Sequence, residues 1–527
     1  MLVFALIFLL LVGCAEPVPQ KTTAAIEDTA IDWPIEQWCA EPVDSVFYTD
    51  VSNVMGLIDT TDNDRIRQEA NPIGLADLDG DGLDDIILGQ RRVGIWIQLN
   101  RGDSFETYLL SEVADVVGIA VADIEGDGDL DIWAGGYFDQ MKLFANDGTG
   151  YFEDVSESSG IASIDVMPQK MDGVFGDIDN DGDLDLFVNM AASPQGSPES
   201  RMNKLLLNNG DGTFMDVSRW MPDAERLGLS WSSIWTDIDL DGDLDLYVAN
   251  AEQGFYGGSY LFQNNGVDNN GWDYTDLSQS CFCTNNYNPM GVSSGDWNND
   301  GLFDLFLTNT GANQLLVNEG NGSFVDVSLA VGDMLLPSQQ HMTFGAAWFD
   351  YNNDGWQDVF VSSGPLHYGS SPAELEEQPD ILLQSTGREF VNVATSLNLD
   401  RLGAGRGVAV GMLNDDGFLD IASANLGSPS FLYQANCTTA RALVVELVGR
   451  PPNTYGVGAR VIVETSEHTM HREITTKPGW AGAMHPRAHF GLGNGTVLNV
   501  TIYWPDGELQ NIDVNPYIDG RIYVEQP

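Results

Sequence analysis

The chain has 527 residues, enough for two to four domains. Its 43% hydrophobic content excludes a disordered chain. Asp and Glu outnumber Lys and Arg 79 to 22, a formal charge of -57; such a polyanion repels nucleic acid and anionic membrane surfaces and attracts cations.

Residues 1–13, MLVFALIFLLLVG, are too short to span a bilayer as a helix and have the length of a signal-peptide core. Leu11-Val12-Gly13-Cys14 resembles the lipobox of bacterial lipoproteins. The resemblance implies cleavage before Cys14 and lipidation of that cysteine. Residues 14–44 then form a tether, membrane contact runs only through the lipid, and the expected location is the bacterial cell envelope, as an outer-membrane lipoprotein.

From residue 45 to 440 one acidic motif recurs. DLDGDGLDD begins at Asp77, DIEGDGDLD at Asp123, DIDNDGDLD at Asp177, DIDLDGDLD at Asp237, DWNNDGLFD at Asp296 and DYNNDGWQD at Asp350. A seventh copy, MLNDDGFLD, begins at Met412. The intervals of 46, 54, 60, 59, 54 and 62 residues are each the size of a four-stranded propeller blade. Short β-branched and aromatic runs follow the loops, as at Ile86–Leu88 and Val359–Val361, and Asn/Asp/Gly hairpin turns come next, as in LLLNNGDGTFMDVS from Leu205. The seventh repeat lacks the final F-x-D-V-S element, and a spare copy lies at Tyr48–Ser52. That strand is expected to complete the last blade, leaving no open sheet edge at the seam. The fold expected is all-β: a seven-bladed β-propeller with a small C-terminal antiparallel β-domain, residues 441–527.

The loop pattern D-x-[DEN]-x-D-G-x-x-D clusters hard oxygen ligands around a glycine turn, a chemistry suited to Ca²⁺. The candidate ligands are Asp77, Asp79, Asp81 and Asp85; Asp123, Glu125, Asp127 and Asp131; Asp177, Asp179, Asp181 and Asp185; Asp237, Asp239, Asp241 and Asp245; Asp296, Asn298, Asp300 and Asp304; and Asp350, Asn352, Asp354 and Asp358. These make six sites. Met412 removes the first ligand of the seventh, which is expected to be weak or empty. Six divalent ions would supply twelve positive charges, so the remaining acidity reads as a solvated face.

Four other cysteines, Cys39, Cys281, Cys283 and Cys437, allow three pairings. Cys39–Cys437 is expected, because both flank the propeller's ends; Cys281 and Cys283 then pair locally or stay reduced. Arg101-Gly102-Asp103 falls where other repeats have the hairpin turn and reads as one. His468, His471, His485 and His489 show no fixed metal-ligand spacing, and His471 and His485 read as surface or strand positions. Loops entering each acidic turn would converge at one mouth of the ring, where Lys170, Trp231, His341 and Arg406 would form a ligand funnel.

Gly173-Val174-Phe175-Gly176-Asp177 and Phe344-Gly345 resemble the FG-GAP/VCBS repeats of integrin α-subunit propellers. NTYGVGARVIVET from Asn453, HFGLG from His489 and WPDGELQN from Trp504 resemble the ASPIC/UnbV domain. Together, in this order, they are similar to the cartilage acidic protein family and its bacterial relatives. The resemblance implies a calcium-carrying propeller and a role in adhesion, with a polysaccharide or surface protein as partner. The alternative is a carbohydrate-active enzyme, a polysaccharide lyase or hydrolase, using the funnel.

Overall fold

The structure is a computed structural model; it describes residues 42–57, 70–90, 93–112, 115–136, 141–164, 170–190, 202–221, 229–251, 258–268, 271–284, 288–334, 341–365, 377–515 and 518–527. The signal-like segment, Cys14 and Cys39 lie outside these residues.

Among the described residues, seven sheets carry four consecutive antiparallel strands, and each contains one acidic loop. In blade 1 the inner strand Ile73–Ala76 leads through the loop at Asp77 into Asp85–Gln90, then Gly94–Asn100 and Phe105–Ser111. The loop thus joins the first and second strands of its blade. Inner strands of neighbouring blades pack side by side from blade 2 round to blade 1, and the ring closes where the second strand of blade 1 meets the inner strand of blade 2. They are rich in small residues because they converge; a Cβ on Gly118 would lie 2.8 Å from Asp172 Cα of the next blade.

The N-terminal strand Tyr48–Asp50 forms the outer edge of the last blade, antiparallel to Phe431–Ala435, with Tyr48 opposite Ala435. The Tyr48 hydroxyl donates to the Leu419 carbonyl at 3.1 Å. Cys281 and Cys283 are bonded to each other, and Cys437 is disulfide-bonded.

The C-terminal part has two sheets, Ala488–Gly493/Arg441–Val448/Gly520–Glu525 and Thr469–Glu473/Arg460–Thr465/Val497–Tyr503/Leu509–Ile512. The expectation of purely antiparallel pairing needs correction: Arg441–Val448 runs parallel to Gly520–Glu525. Some seventy residues separate the two strands, ample for the crossover that parallel pairing requires. This part docks on the propeller's acidic-loop face. Leu443, Val445, Val461 and Phe490 share one core cluster with Ile124, Trp133 and Phe175 of blades 2 and 3. Residues 476–485 go further and enter the central channel.

Candidate metal centres and the domain that covers them

Each of the first six loops is wound around the carboxylate at its first position. Asp77 Oδ1 accepts from Gly80 N at 2.7 Å and Asp81 N at 3.1 Å, and its Oδ2 accepts from Gly82 N at 2.9 Å. Gly82 sits at φ 92°, where a side chain would be strained. The same first-position bond to the glycine N–H recurs at Asp123, Asp177, Asp237, Asp296 and Asp350, at 2.7 to 3.1 Å.

The ninth-position carboxylate ties the loop to the rest of its blade. Asp85 Oδ2 accepts from Leu78 N at 2.8 Å and Oδ1 from Asn100 N at 2.6 Å. Asp185 does the same with Ile178 N and Asn208 N, at 3.0 and 2.9 Å.

Carboxylate oxygens of Asp77, Asp79 and Asp85 lie within 4.8 Å of one another, as do those of Asp177, Asp179 and Asp185, and of Asp237, Asp239 and Asp245. Asp79 Oδ1, Glu125 Oε2, Asp177 Oδ1, Asp179 Oδ1 and Asp239 Oδ1 are buried and accept no hydrogen bond. Oxygens so placed fit a hard cation. In blades 5 and 6 the third position is Asn, and its amide donates to the fifth: Asn298 Nδ2 to Asp300 Oδ2 at 2.8 Å, Asn352 Nδ2 to Asp354 Oδ2 at 2.9 Å. Turning either amide over would present its oxygen instead. In blade 1 Arg101 pairs with Asp79, with Glu106 at 3.1 Å, and reaches Asp81 at 3.8 Å, so this arginine serves the loop beside it.

Burial and mutual repulsion hold these acids toward the protonated form. Burial is the larger cause throughout. It lifts Asp77 and Asp237 to about 6, Asp177, Asp296 and Asp350 to about 7, and Asp85 to about 9. A cation among them would reverse that preference.

The seventh loop is built differently. With Met412 at its head it has no first-position carboxylate. Arg521 of the C-terminal domain lies there, its Nη2 3.5 Å from Met412 Sδ and 3.0 Å from Asp415 Oδ1.

One group of residues was read from the sequence only as turn formers. Asn100, Asn146, Asn208, Asn264 and Asn318 begin the hairpin turns, but their side chains also join blades. Asn146 Nδ2 donates to the Leu78 carbonyl in the loop of the preceding blade at 2.8 Å, and Asn318 Nδ2 to the Ile238 carbonyl at 2.7 Å. Asn208 and Asn264 repeat this, and Asn100 closes the ring by donating to Leu413 O at 2.8 Å. The signal was the invariance of Asn before the turn glycine in five repeats.

Among the described residues the expected ligand funnel is filled rather than open. Trp231 is buried, its ring 5.5 Å from that of Trp480. Arg406 is also buried; its guanidinium lies 3.9 Å from the Phe344 ring and donates to the carbonyls of Gly405 at 2.7 Å and Pro365 at 2.8 Å. His341 is half-buried, and Lys170 begins the strand Lys170–Gly176 with its side chain outside the described part. The cause is the inserted segment. Trp480 and Ala481 pack with Val117, Met171, Trp231, Met290 and Phe344, drawn from five successive inner strands. Gly482–Met484 pairs parallel with Ile73–Leu75 of blade 1, and Ser293 Oγ donates to Pro478 O at 2.6 Å. Lys477 Nζ meets Asp172 Oδ1 at 2.5 Å, both buried. The histidines follow: His485 is buried between the two domains rather than on a surface, as is His489, while His471 lies half-buried in the strand Thr469–Glu473 beside Gly301.

Residues 449–527 match the ASPIC and UnbV family, and 77–134, 126–188, 237–307 and 296–361 match the FG-GAP-like repeat. The chain is 22% identical over 462 residues to cartilage acidic protein 1 of Mus musculus, covering 74% of this chain and 71% of that one. The Homo sapiens protein is 23% identical over 467 residues, covering 75% and 70%. Among solved structures, an Agrocybe aegerita lectin that recognises non-reducing terminal N-acetylglucosamine aligns over 69% of this chain and 87% of its own, at 16% identity and a TM-score of 0.41.

Proposed function

Because the chain belongs to the family that joins FG-GAP-like repeats to a C-terminal ASPIC/UnbV domain, with cartilage acidic protein 1 among its relatives, we propose that it is an exported, calcium-loaded propeller that binds a polysaccharide or another surface protein. The observation that carries the calcium reading is the set of buried carboxylate oxygens gathered without donors at the first and third loop positions. Asp77, Asp79 and Asp85 would hold the ion in blade 1, with their counterparts in blades 2 to 6. Export and lipid anchoring at Cys14 belong to the same proposal. Among the described residues no helix is long and apolar enough to cross a membrane.

Calcium here is structural: it neutralises packed carboxylates and fixes each blade's first hairpin. Extracellular calcium modules have Kd values of about 10⁻⁴–10⁻³ M. At millimolar calcium, a site of about 10⁻⁴ M adds about 1.4 kcal/mol, so six independent sites would add about 8 kcal/mol, comparable to the stability of a whole domain.

The enzyme alternative needs the funnel, where Trp231 is packed against the inserted segment and Arg406 is buried. The binding reading is tested by passing calcium-loaded protein over a polysaccharide panel and assaying both retention and released oligosaccharide. Retention without fragments, lost on chelation, is the expected result. Released fragments would contradict it, and the absence of both would favour a protein partner.

A further inference from the structure

The C-terminal domain touches the propeller at the head of its acidic loops. In blade 2 the Thr454 hydroxyl donates to Asp123 Oδ2. That oxygen also accepts from Gly128 N at 2.8 Å, while Asp123 Oδ1 takes Gly126 N at 2.8 Å and Asp127 N at 3.1 Å. Beside it the Tyr455 hydroxyl donates to the Gly128 carbonyl at 2.9 Å. In blade 4 Glu473 accepts from Asp237 N at 3.0 Å. In blade 1 His485 Nδ1 accepts from Asp77 N at 3.3 Å. Three loops on different blades are thus gripped at the same position, two of them by Glu473 and His485 at the ends of the segment filling the channel.

A group that orients a metal-binding carboxylate without touching the metal tunes its affinity, and losing such a group typically weakens binding about 10- to 100-fold. Thr454 is placed for that role, since its hydrogen bond fixes the rotation of the Asp123 carboxylate around which the loop is wound. Linkage then works in both directions: the factor by which the docked domain tightens the ion equals the factor by which the ion tightens docking. We propose that Thr454 is an outer-sphere positioning residue of the blade 2 loop, and that through it, Glu473 and His485, cation occupancy and docking of the C-terminal domain form one linked equilibrium. This rests on the calcium reading above. Its consequence is that loss of calcium loosens the channel segment as well as the loops.

The test uses the full chain with Thr454→Val and, as the conservative partner, Thr454→Ser. Calcium titration reads the affinity, and hydrogen exchange reads the amides of Trp480–Met484 with and without chelator. Thr454→Val is expected to weaken one site about 10-fold, Thr454→Ser to restore it, and chelation to speed exchange in the channel segment. Normal calcium affinity in Thr454→Val, or a channel segment equally protected after chelation, would overturn the proposal. Failure of the unsubstituted chain to bind calcium at all would remove the reading beneath it, and the proposal with it.

Discussion

Arg487 of the C-terminal domain clasps Asp84 of blade 1 through two bonds, Nη1 to Oδ2 at 2.9 Å and Nη2 to Oδ1 at 2.8 Å, with both side chains buried. Asp84 occupies the eighth loop position, where blades 2, 3, 4 and 7 have Leu130, Leu184, Leu244 and Leu419. The acid that breaks the repeat therefore helps to fasten the two domains, and Met412 N adds a third bond to it at 2.6 Å.

Removing one partner strands a buried charge. Arg487→Met should cost about 3–5 kcal/mol, whereas Asp84→Leu with Arg487→Met should recover much of that loss, since Leu is the residue other blades use there. Denaturant melts in saturating calcium would show it. Equal losses in the single and double variants would contradict the pairing.

The Asn clamps between blades carry a separate prediction. Asn318→Ala removes the donor to Ile238 O at 2.7 Å and to Phe303 O at 3.2 Å, leaving two buried carbonyls short of a partner. The expected cost is about 1–3 kcal/mol, without loss of calcium stoichiometry. Melting and calcium titration of the same variant separate the two effects.

Leu240 stands at φ 63° in the blade 4 loop, where blades 3, 5 and 6 place Asn180, Asn299 and Asn353 and blades 1 and 2 place Gly. Asn tolerates this conformation better than Leu. Leu240→Asn should raise stability by about 0.5–1 kcal/mol, measured by thermal melting; a loss would mean that the Leu240 side chain makes a compensating contact.

Stability without calcium should fall as pH rises. Asp177, Asp296 and Asp350 keep their protons up to about 7 in the folded chain, because of burial first and neighbouring carboxylates next. Their unfolded counterparts release protons near 4. Between these limits the folded state binds more protons, so its stability is fully present below about pH 4 and is lost as pH climbs through about 7. Calcium should invert the trend by favouring the ionised form. Melting temperatures from pH 4 to 8, with chelator and with calcium, would therefore diverge as pH rises.

The propeller was legible because its information is local and repeated. A nine-residue motif marks each first hairpin, and the displaced Tyr48–Ser52 element announces how the ring closes. The carboxylate clusters of blades 1, 3 and 4 were legible for the same reason. The channel segment was not, because its partners are remote: Trp480 meets Trp231, and Lys477 meets Asp172, across about 250 and 305 residues. A funnel drawn from Trp231 and Arg406 assumed an empty ring, and nothing in either strand reports what fills it. The available trace was the small and aromatic run Pro478-Gly479-Trp480-Ala481-Gly482-Ala483, which has no polar face and so calls for burial. The Asn clamps were hidden by a second use: the same side chain that suits a turn also reaches the next blade.

The central claim is that six loops hold calcium as a structural element while the Met412 loop does not. Equilibrium calcium binding to the full chain, followed by thermal melts with and without chelator, tests it most directly. The account predicts six ions per chain and a melting temperature lowered by many degrees on chelation. No calcium bound, or a melt unchanged by chelator, would contradict it.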